Sequence, residues 1–516
     1  MNAIELTLFS SRLNAVCDEM GVVLRRTAFS PNIRDRLDFS CAIFDLNGDL
    51  CAQAAHIPVH LGSMAYAMRD VIDRLEWSQG DMVVFNDPFL GGTHLPDVTL
   101  VAPVFVDGVL QGFVANRAHH ADIGADSPGS MPLSSTLQQE GLILQPDYLL
   151  KAGRWREHTR ERLAGATRNP TESLGDFNAQ ISANHAGVER LAHFIRQTAA
   201  SVGADAFQAG IEALNEYGER LSRRMLQEIP DGLYRFEDVM DDDGQGTRNI
   251  LIRVAVTVDK DRCWLDFSET AQQVSGNINC PLSVTAAAVY YVFRCLMPKQ
   301  TPACAGIFRP IEIKAPPGTL LNARRPAAVA AGNVETSTRV VDVVMGALAQ
   351  AIPERIPAAS HGSMNNLAMG SDRGRVWDYY ETIGGGMGAG AAHHGLSAVQ
   401  THMTNTLNTP IEVIESLFPL QISEYAIRED SGGSGRHRGG EGVVRSWKFL
   451  QATQLTLLTE RRTHAPWGLH GGGPGSRGRN LLNGVELPAK CHLHVEPDDE
   501  LRIETPGGGG FGSVDS

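Results

Sequence analysis

The spacing of apolar residues along the chain predicts helices that alternate with short strands. Over residues 13–24 an apolar side chain recurs every three or four positions, which is the period of one helix face. A second helical stripe runs through 207–225, and an apolar helix is predicted over 340–353, where a proline ends it. Residues 252–258 instead alternate strictly between apolar and polar side chains, as a half-buried strand does.

Short β-type runs separated by turn residues fill the region between about 31 and 115. Within it, the stretch CAIFDLNGDLCAQ predicts a hairpin, because Asn47-Gly48 supplies the positive-φ residues of a tight turn. The polar, proline-rich stretch from 125 to 180 is predicted to consist mainly of loops. Roughly the last ninety residues are glycine-rich and β-like.

These patterns together predict an α+β protein with several domains, mixed sheets with helices, and a β-rich, glycine-rich C-terminal region. A chain of 516 residues is too long for a single hydrophobic core. We expect a metal-binding N-terminal region over 1–180, a central α+β region over 181–424 and a β-rich region over 425–516. No internal repeat is visible, so a solenoid or propeller is not expected.

Composition narrows the class of protein. The chain is 42% hydrophobic and 20% charged, as is typical of soluble globular proteins. Its net charge of −14 argues against a nucleic-acid partner, which requires clustered Lys and Arg. The eight cysteines are scattered singly with no CxxC pair, which is typical of reduced thiols. With no signal peptide and no apolar run long enough to span a bilayer, we expect a cytoplasmic protein without membrane contact.

Histidine and aspartate concentrate around two apolar strands, in NDPFLGGTHLPDVTLVAPVF and GFVANRAHHADIG. His94 and Asp97 precede the first strand, and His119 and His120 end the second. Two imidazoles with one or two carboxylates suit a divalent metal such as Zn, Mn or Fe, with a position left open for water or substrate. Adjacent strand residues point to opposite faces, so we select His119 as the ligand and keep His120 in reserve. Asp38, before another short strand, is a candidate oxygen ligand.

Spacing alone leaves a simpler interpretation open, in which these are ordinary polar residues of a loop and of a turn at Gly91-Gly92. Their concentration at the ends of apolar strands, where functional sites tend to form, favours the metal site. His56 and His60 lie four apart, but Pro58 between them argues against a helix. A structural or supporting role is the favoured interpretation for both.

The remaining motifs carry less weight. His393-His394 and the run from Cys491 to His494 resemble metal motifs, but the latter is more simply an exposed strand. Four glycine clusters lack the Lys-Ser/Thr of a P-loop and no convincing helix follows them, so turns and close backbone packing explain most of them. Arg436 and Arg438 could hold an anion beside one cluster. No nucleophile elbow and no ATP-binding motif is present.

Ten ordered blocks of sequence together resemble the hydantoinase B/oxoprolinase family over essentially the whole chain. They are RDRLDFSCAIFD, AQAAHIPVHLGSM, GDMVVFNDPFLGGTHLPDVTLVAPVF, NRAHHADIG, RNPTESLGD, GNINCPLS, ETIGGGMGAG, THMTNTLNTPIEVIE, SGGSGRHRGGEGVVR and PWGLHGGGPGSRG. The resemblance implies an ATP-dependent cyclic amidohydrolase that opens hydantoin- or 5-oxoproline-type rings. It also implies an ATP-binding partner of the hydantoinase A type, and a heterotetramer.

Residue by residue, the resemblance implies a divalent metal held by His94, Asp97 and His119, with Asp38 expected to contribute. We assign supporting catalytic roles to His120 or Asp122, which would accept a proton or orient a ligand. The main alternative is a subunit of an ATP-dependent ketone carboxylase of the acetone or acetophenone type. A further alternative is a scaffold subunit whose metal motif no longer binds metal.

Overall fold

The computed structural model describes residues 1–55 and 57–514 of the chain. One π-helical turn, at Gly332–Thr336, directly precedes a regular helix. The α-helices, in chain order, are α1 (Ala3–Thr27), α2 (Pro31–Arg34), α3 (His60–Asp73), α4 (Glu157–Ala166), α5 (Pro170–Val202), α6 (Ala206–Leu226), α7 (Leu282–Leu296), α8 (Ser337–Leu348) and α9 (Ile411–Leu417).

The strands form four sheets. In chain order they are β1 (Phe39–Phe44), β2 (Leu50–Ala55), β3 (Met82–Phe85), β4 (Asp97–Val106), β5 (Val109–His119), β6 (Asp147–Lys151), β7 (Arg154–Trp155), β8 (Gly232–Asp242), β9 (Arg248–Asp259), β10 (Arg262–Asp266), β11 (Ile311–Lys314), β12 (Asn366–Ser371), β13 (Trp377–Glu381), β14 (Leu420–Arg428), β15 (Gly442–Phe449), β16 (Thr453–Leu458), β17 (Arg479–Leu482), β18 (Val485–Glu486), β19 (Lys490–Val495) and β20 (Glu500–Glu504).

The first sheet has seven strands in the order β2-β1-β5-β4-β3-β6-β7. Strands β4 and β5 form a long antiparallel hairpin at its centre. Strands β1 and β2 form the hairpin predicted from the sequence, with Gly48 at φ +78° in the turn, so that prediction is confirmed. Successive side chains of β5 point to opposite faces, as strand geometry requires.

Both faces of this sheet are covered by helices. Val114 and Ala118 of β5 belong to a core shared with α1 and α5, whereas Phe113 and Ala115 pack with Met64 of α3. The predicted N-terminal helix is confirmed as α1, with the apolar positions of its stripe buried. Because each face is closed, a side chain at the end of β4 or β5 enters either the α3 side or the α5 side.

The central region contains a four-stranded sheet in the order β11-β10-β9-β8. Its strand β9 buries Ile252, Val254, Val256 and Val258, as the strict alternation predicted. The apolar helix predicted over 340–353 corresponds to α8, whose residues are all buried, but α8 spans Ser337–Leu348 and ends five residues before Pro353 rather than at it. Helix α8 packs against β8 and β9 and continues directly from the π-helical turn.

Two further sheets complete the chain, in the orders β13-β12-β16-β19 and β14-β15-β20-β17-β18. The first of them pairs β12 and β13, which lie before residue 424, with β16 and β19, which lie after it. Helix α5 continues through position 180 and strand β14 through position 424, so neither predicted domain boundary falls between elements. The α+β class with several sheets and helices is confirmed. One of the four sheets is mixed, because β10 pairs with β11 in parallel, whereas the strand pairs of the other three sheets are antiparallel.

The stretch from 125 to 180 is more ordered than its composition suggested. It contains β6, β7, α4 and the first turns of α5, where mainly loops were predicted. Helix α4 buries only Thr159 and Leu163, so its polar sequence lacked the apolar stripe on which a helix prediction rests. None of the helices in the described part of the chain combines the length and apolar character that a membrane span requires.

The four glycine clusters assemble into one bundle, formed by residues 383–390, 431–442, 470–478 and 506–512, which we call the glycine bundle. Backbone amides join neighbouring segments, for example from Gly440 to the Met387 carbonyl at 2.8 Å and from Gly508 to the Gly440 carbonyl at 2.9 Å. A Cβ atom added to Gly440 would overlap the Leu396 carbonyl. Close backbone packing therefore accounts for the glycines at these contacts.

A buried ion-pair network joins the central sheet to the C-terminal region. Arg461 Nη2 lies 2.7 Å from Asp342 Oδ2 of α8 and 2.8 Å from Asp238 Oδ2 of β8. Lys490 Nζ lies 2.6 Å from Glu460 Oε1, with both side chains fully buried. Removing one partner of such a pair would leave an uncompensated buried charge and cost about 3–5 kcal/mol.

Candidate metal centre

The predicted metal motif lies at the end of the β4–β5 hairpin. Asp97 is the first residue of β4 and His119 the last of β5, and the two are direct cross-strand partners. His94 lies in the turn before β4, where the Asp97 amide donates to the His94 carbonyl at 3.1 Å. Gly91, at φ +95°, ends the short 3-10 helix Pro88–Leu90 that precedes this turn, in a left-handed conformation that favours glycine. His94, three residues before β4, and His119, the last residue of β5, therefore lie at the same end of the hairpin.

The three side chains form one compact cluster. Asp97 Oδ2 lies 3.3 Å from His94 Nε2, and Asp97 Oδ1 lies 3.3 Å from His119 Nδ1. One potential ligand atom from each residue lies within 4.8 Å of the others, and all three residues are buried. The structure therefore brings together His94, Asp97 and His119, the candidate metal ligands that the sequence singled out.

Hydrogen bonding leaves imidazole nitrogens available in this cluster. His94 donates from Nδ1 to the Ala330 carbonyl at 3.2 Å, which leaves its Nε2 as the unprotonated nitrogen facing Asp97. Neither His94 Nε2 nor His119 Nε2 has a hydrogen-bond partner among the described residues. A buried polar atom without a partner costs about 1–3 kcal/mol, which a bound metal would relieve. The donor set of two imidazoles and one carboxylate fits a divalent metal.

The cluster shifts the pKa values of its own members. Burial alone would raise the pKa of Asp97, but the imidazoles of His94 and His60 and the hydrogen bond from His119 hold it well below its usual range. Burial lowers the pKa of His119. Burial also opposes protonation of His94, but the Asp97 carboxylate outweighs it and raises the His94 pKa. A permanently ionised carboxylate between imidazoles is the arrangement that a cation requires.

His60 is a member of the site that the sequence interpretation undervalued. It begins α3, two residues after the Pro58 that argued against a helix, and its Nε2 lies 3.4 Å from Asp97 Oδ2. Its Nδ1 lies 3.0 Å from Ser40 Oγ of β1. The spacing between His60 and Asp97 carries no signal, because only the packing of α3 on the sheet brings them together. His56, its predicted companion, lies outside the described residues.

Neighbouring polar and aromatic groups contact Asp97 and His119. Thr93 Oγ1 donates to Asp97 Oδ2 at 2.5 Å, and Asn333 Nδ2 from the π-helical turn lies 3.4 Å from the same oxygen. The ring of His119 stacks on Tyr380, with ring centroids 4.6 Å apart. π-Helical turns are frequent at functional sites, and this one aims an amide at the cluster.

Asp38 lines the same small cavity as the cluster, which has room for about one water-sized group. Its backbone carbonyl accepts from the His119 amide at 3.0 Å, and its Oδ2 lies 4.0 Å from Arg36 Nη2. Within the described chain, the compact cluster of potential ligand atoms comprises the other three residues and not Asp38. Its contribution as a ligand stays a prediction.

His120 and Asp122 lie on the opposite side of the sheet. His120 Nε2 lies 2.9 Å from Gln180 Oε1 of α5, and its ring packs on Phe177. Asp122 accepts from the Gly124 amide at 2.8 Å and pairs with Arg168 at 3.2 Å. Both residues line a second cavity rather than the one that contains His94, Asp97 and His119. Their supporting catalytic roles stay predictions.

The other candidate motifs do not converge on a site. His492 and His494 project from β19 as exposed residues, and His393 and His394 are also exposed. Arg438, proposed for an anion, lies 3.8 Å from both Asp430 and Glu441.

The chain matches the family model described as hydantoinase B/oxoprolinase over residues 2–514. It is 39% identical to 5-oxoprolinase 1 of Arabidopsis thaliana, covering 99% of this chain but 42% of that protein. It is 32% identical to a proposed B-type component of a D-/L-hydantoinase from a Pseudomonas species, covering 97% of this chain and 88% of that one. The chain thus spans about two fifths of the 5-oxoprolinase length but nearly all of the hydantoinase component.

Solved structures agree with this assignment. The ATP-dependent caprolactamase from Pseudomonas jessenii superposes with a TM-score of 0.92 at 27% identity, covering 99% of this chain and 91% of that chain. A nucleotide-free acetone carboxylase shares the fold with a TM-score of 0.87 at 19% identity, covering 99% of this chain and 76% of that chain. This chain belongs to the hydantoinase B/oxoprolinase family.

Proposed function

We propose that this chain is the metal-carrying subunit of an ATP-dependent cyclic amidohydrolase that opens hydantoin- or 5-oxoproline-type rings. The observation that carries the proposal is the buried cluster of His94, Asp97 and His119, in which imidazole nitrogens lack hydrogen-bond partners within the described chain. A divalent metal held there, whether Zn, Mn or Fe, would polarise a carbonyl oxygen and acidify water, which supports amide hydrolysis at neutral pH.

The residues of the chain have distinct parts in this proposal. His94 and His119 offer nitrogens, and Asp97 offers a carboxylate oxygen, with Asp38 as a further oxygen ligand. The Ala330 carbonyl fixes the tautomer of His94, since it accepts the proton on Nδ1. Partners of this kind orient a ligand and raise its basicity. His60, 3.4 Å from Asp97 Oδ2, is suited to holding a proton beside the cluster.

Room for a ring lies next to the cluster. A neighbouring cavity of about 360 Å³ shares Thr404 with the cavity of the metal centre. Apolar side chains such as Tyr291 and Met345 line it, together with His402. A mainly apolar pocket with a few polar groups is the usual form of a small-molecule site. We therefore propose that the cyclic amide binds here with its scissile bond toward Thr404.

In this proposal, ATP is bound by a partner subunit and not by this chain. The chain has no P-loop, and an unstrained cyclic amide resists hydrolysis unless its oxygen is activated, for example by phosphorylation. We propose that ATP is held by a hydantoinase A-type subunit, which supplies that activation in a heterotetramer of two subunits of each kind. The 5-oxoprolinases, of whose length this chain spans about two fifths, would carry both functions in one polypeptide. The scattered free cysteines favour a cytoplasmic location for this assembly.

The test is to purify the chain together with its A-type partner and to follow ADP release with hydantoin, 5-oxoproline and acetophenone, each with and without bicarbonate. Ring-opened product without bicarbonate is the expected result. Turnover that requires both bicarbonate and a ketone would instead identify a carboxylase. Ring opening by the purified single chain without a partner would contradict the two-subunit proposal.

A further inference from the structure

The second cavity, on the α5 side of β5, is the most unusual feature outside the metal centre. It has a volume of about 240 Å³ and begins where His120 turns away from the metal ligands. Four carboxylates from separate parts of the chain line it. They are Asp122 after β5, Glu172 and Asp176 of α5, and Asp378 of β13. We call it the acidic cavity.

The protein itself holds only some of these carboxylate oxygens. Asp122 is held by Arg168 at 3.2 Å, and Asp378 accepts from the Gly129 amide at 3.1 Å. Asp176 accepts through Oδ1 from the Phe29 amide at 2.7 Å and from the Ser30 amide at 3.1 Å. Within the described chain, Glu172 has only a marginal contact, 3.5 Å from the side-chain amide of Asn169. Acceptor capacity is therefore left over in the cavity.

Two further acceptors lie in the cavity wall without partners. Gln180 accepts the proton of His120 Nε2 at 2.9 Å, so His120 Nδ1 is left as an acceptor. That nitrogen, on a side chain that is 99% buried, finds no hydrogen-bond donor within the described ranges. Ser173 Oγ, also buried, is unpaired within the same ranges. An uncompensated imidazole nitrogen beside a group of carboxylates calls for a donor that the described chain does not provide.

Positive charge on the protein balances the cavity only in part. Its lining contains two guanidinium groups, those of Arg34 and Arg375, and Arg168 pairs with Asp122 from outside the lining, against four carboxylates. Arg34 is paired with Asp35 at 2.9 Å, and Arg375 donates to the Leu417 carbonyl at 2.6 Å. Burial and the neighbouring Asp176 raise the pKa of Glu172 to about 7. A cationic ligand would relieve this repulsion.

The arrangement favours an organic cation over a metal ion. In the part of the chain that the structure describes, the acidic cavity contains no group of three ligand atoms that converge closely enough to hold a metal. Phe29 and Phe418 line the cavity with aromatic surface that suits an apolar body and a cation. An ammonium group has three donors and no acceptor, which matches the surplus of acceptors.

We propose that the acidic cavity is a second ligand site, which binds a small organic cation consisting of a primary ammonium group on a compact apolar body. The site is independent of the metal centre, because its carboxylates and His120 all lie on the other side of β5. Glu172 is the principal counter-ion, since it is the carboxylate with the fewest partners in the protein.

The test is isothermal titration calorimetry of the full chain, purified with its partner subunit and metal, using benzylammonium as the probe. Benzyl alcohol serves as the neutral analogue of the same shape. Saturable binding of benzylammonium, with at least about tenfold weaker binding of benzyl alcohol, is expected because only the ammonium group forms charge-assisted hydrogen bonds with the carboxylates. Equal binding of both compounds, or no saturable binding of benzylammonium, would overturn the proposal.

Substitutions test whether benzylammonium binds in the acidic cavity. Glu172→Gln should weaken benzylammonium binding about tenfold or more, whereas Glu161→Gln, an exposed carboxylate on α4, should leave it unchanged. His94→Ala should retain benzylammonium binding, so failure of the metal centre and failure of this site are distinguishable. Wild-type affinity in Glu172→Gln would rule out this cavity. The comparison of the two probes needs no variant and stands even if Glu172→Gln does not fold.

Discussion

Strand β5 separates two cavities that consecutive histidines line from opposite sides. On the α3 side, three imidazoles surround the Asp97 carboxylate, and Asp38 lines the same cavity. On the α5 side, four carboxylates gather near one imidazole, that of His120. The first arrangement offers nitrogen ligands to a metal, and the second offers surplus oxygen acceptors to a cation. Neighbouring positions in a strand thus need not share a function, because the alternation of the strand assigns them to different environments.

The largest effect is expected from a substitution that disrupts the candidate metal centre and leaves the acidic cavity intact. His94→Ala removes a proposed ligand, and we expect loss of bound metal and a fall in ring-opening rate of more than about 100-fold, beyond the effect of losing an outer partner. The measurement is metal content per chain by mass spectrometry together with the steady-state rate. His120→Ala is the matched control and should retain the metal. Unchanged metal content and rate in His94→Ala would favour the scaffold interpretation.

A smaller effect is expected from the group that supports Asp97. Thr93→Val removes the hydroxyl that donates to Asp97 Oδ2 at 2.5 Å while nearly keeping the side-chain shape. Metal affinity should fall about 10–100-fold, as for other outer partners of metal ligands. Competition with a chromogenic chelator measures it. Ser173→Ala, which removes a hydroxyl from the acidic cavity, is the control and should leave metal affinity unchanged. If Ser173→Ala lowered metal affinity as much as Thr93→Val does, the two cavities would not be separate.

The acidic cavity should make the stability of the folded chain depend on pH through Glu172. The folded-state pKa of Glu172 is about 7, above its ordinary value of 4.5, so the folded chain binds this proton more tightly than the unfolded chain. Stability from that protonation is lost as pH rises from about 4.5 through 7. Glu172→Gln should therefore stabilise the chain at pH 8 relative to pH 5, by roughly 1–2 kcal/mol.

Thermal unfolding midpoints of Glu172→Gln and wild type, taken at each pH unit from 5 to 8, measure this difference. Glu161→Gln should track wild type throughout. A difference between Glu172→Gln and wild type that does not change with pH would show that Glu172 is ionised in the folded chain at all these values.

The smallest effect is expected where the metal centre meets the β12–β13 hairpin. Tyr380→Phe keeps the ring that stacks on His119 but removes the hydroxyl that donates to Asn366 Oδ1 at 2.7 Å. We expect the metal to be retained and the ring-opening rate to fall less than about tenfold, since one neutral hydrogen bond contributes about 1 kcal/mol. Tyr380→Ala, which also removes the ring, is the comparison. A larger loss in Tyr380→Phe than in Tyr380→Ala would exclude a role for the ring stack.

The compact cluster of candidate metal ligands could be predicted because its members lie near one another along two consecutive strands. His94, Asp97 and His119 are joined by a single hairpin, so local spacing reports their spatial proximity. His60 reaches the same place through the packing of α3, and local spacing contains no trace of that. Glu172 and Asp378 meet across two distant parts of the chain, so the acidic cavity was equally inaccessible to sequence reasoning.

The helices and strands, like the site residues, could be predicted only where the local sequence carries the signal. Amphipathic α1 and alternating β9 were predicted because each has a regular apolar period. Helix α4 was missed because few of its residues are buried, and periodicity records burial rather than helicity. The buried pairs of Arg461 were also beyond prediction, since charged residues are expected at the surface until a partner is located in three dimensions.

The glycine bundle has a consequence for building chimaeras between relatives. Its four segments interlock through main-chain atoms, so a side chain added in one segment, as at Gly440, meets the backbone of a neighbour. A crossover that exchanges only one segment would combine main chains that were not fitted to each other. The bundle should therefore behave as a single recombination block, in which residues 383–512 are inherited together. In a saturation library, the glycines with the closest neighbours should form one of the least tolerant patches of the protein.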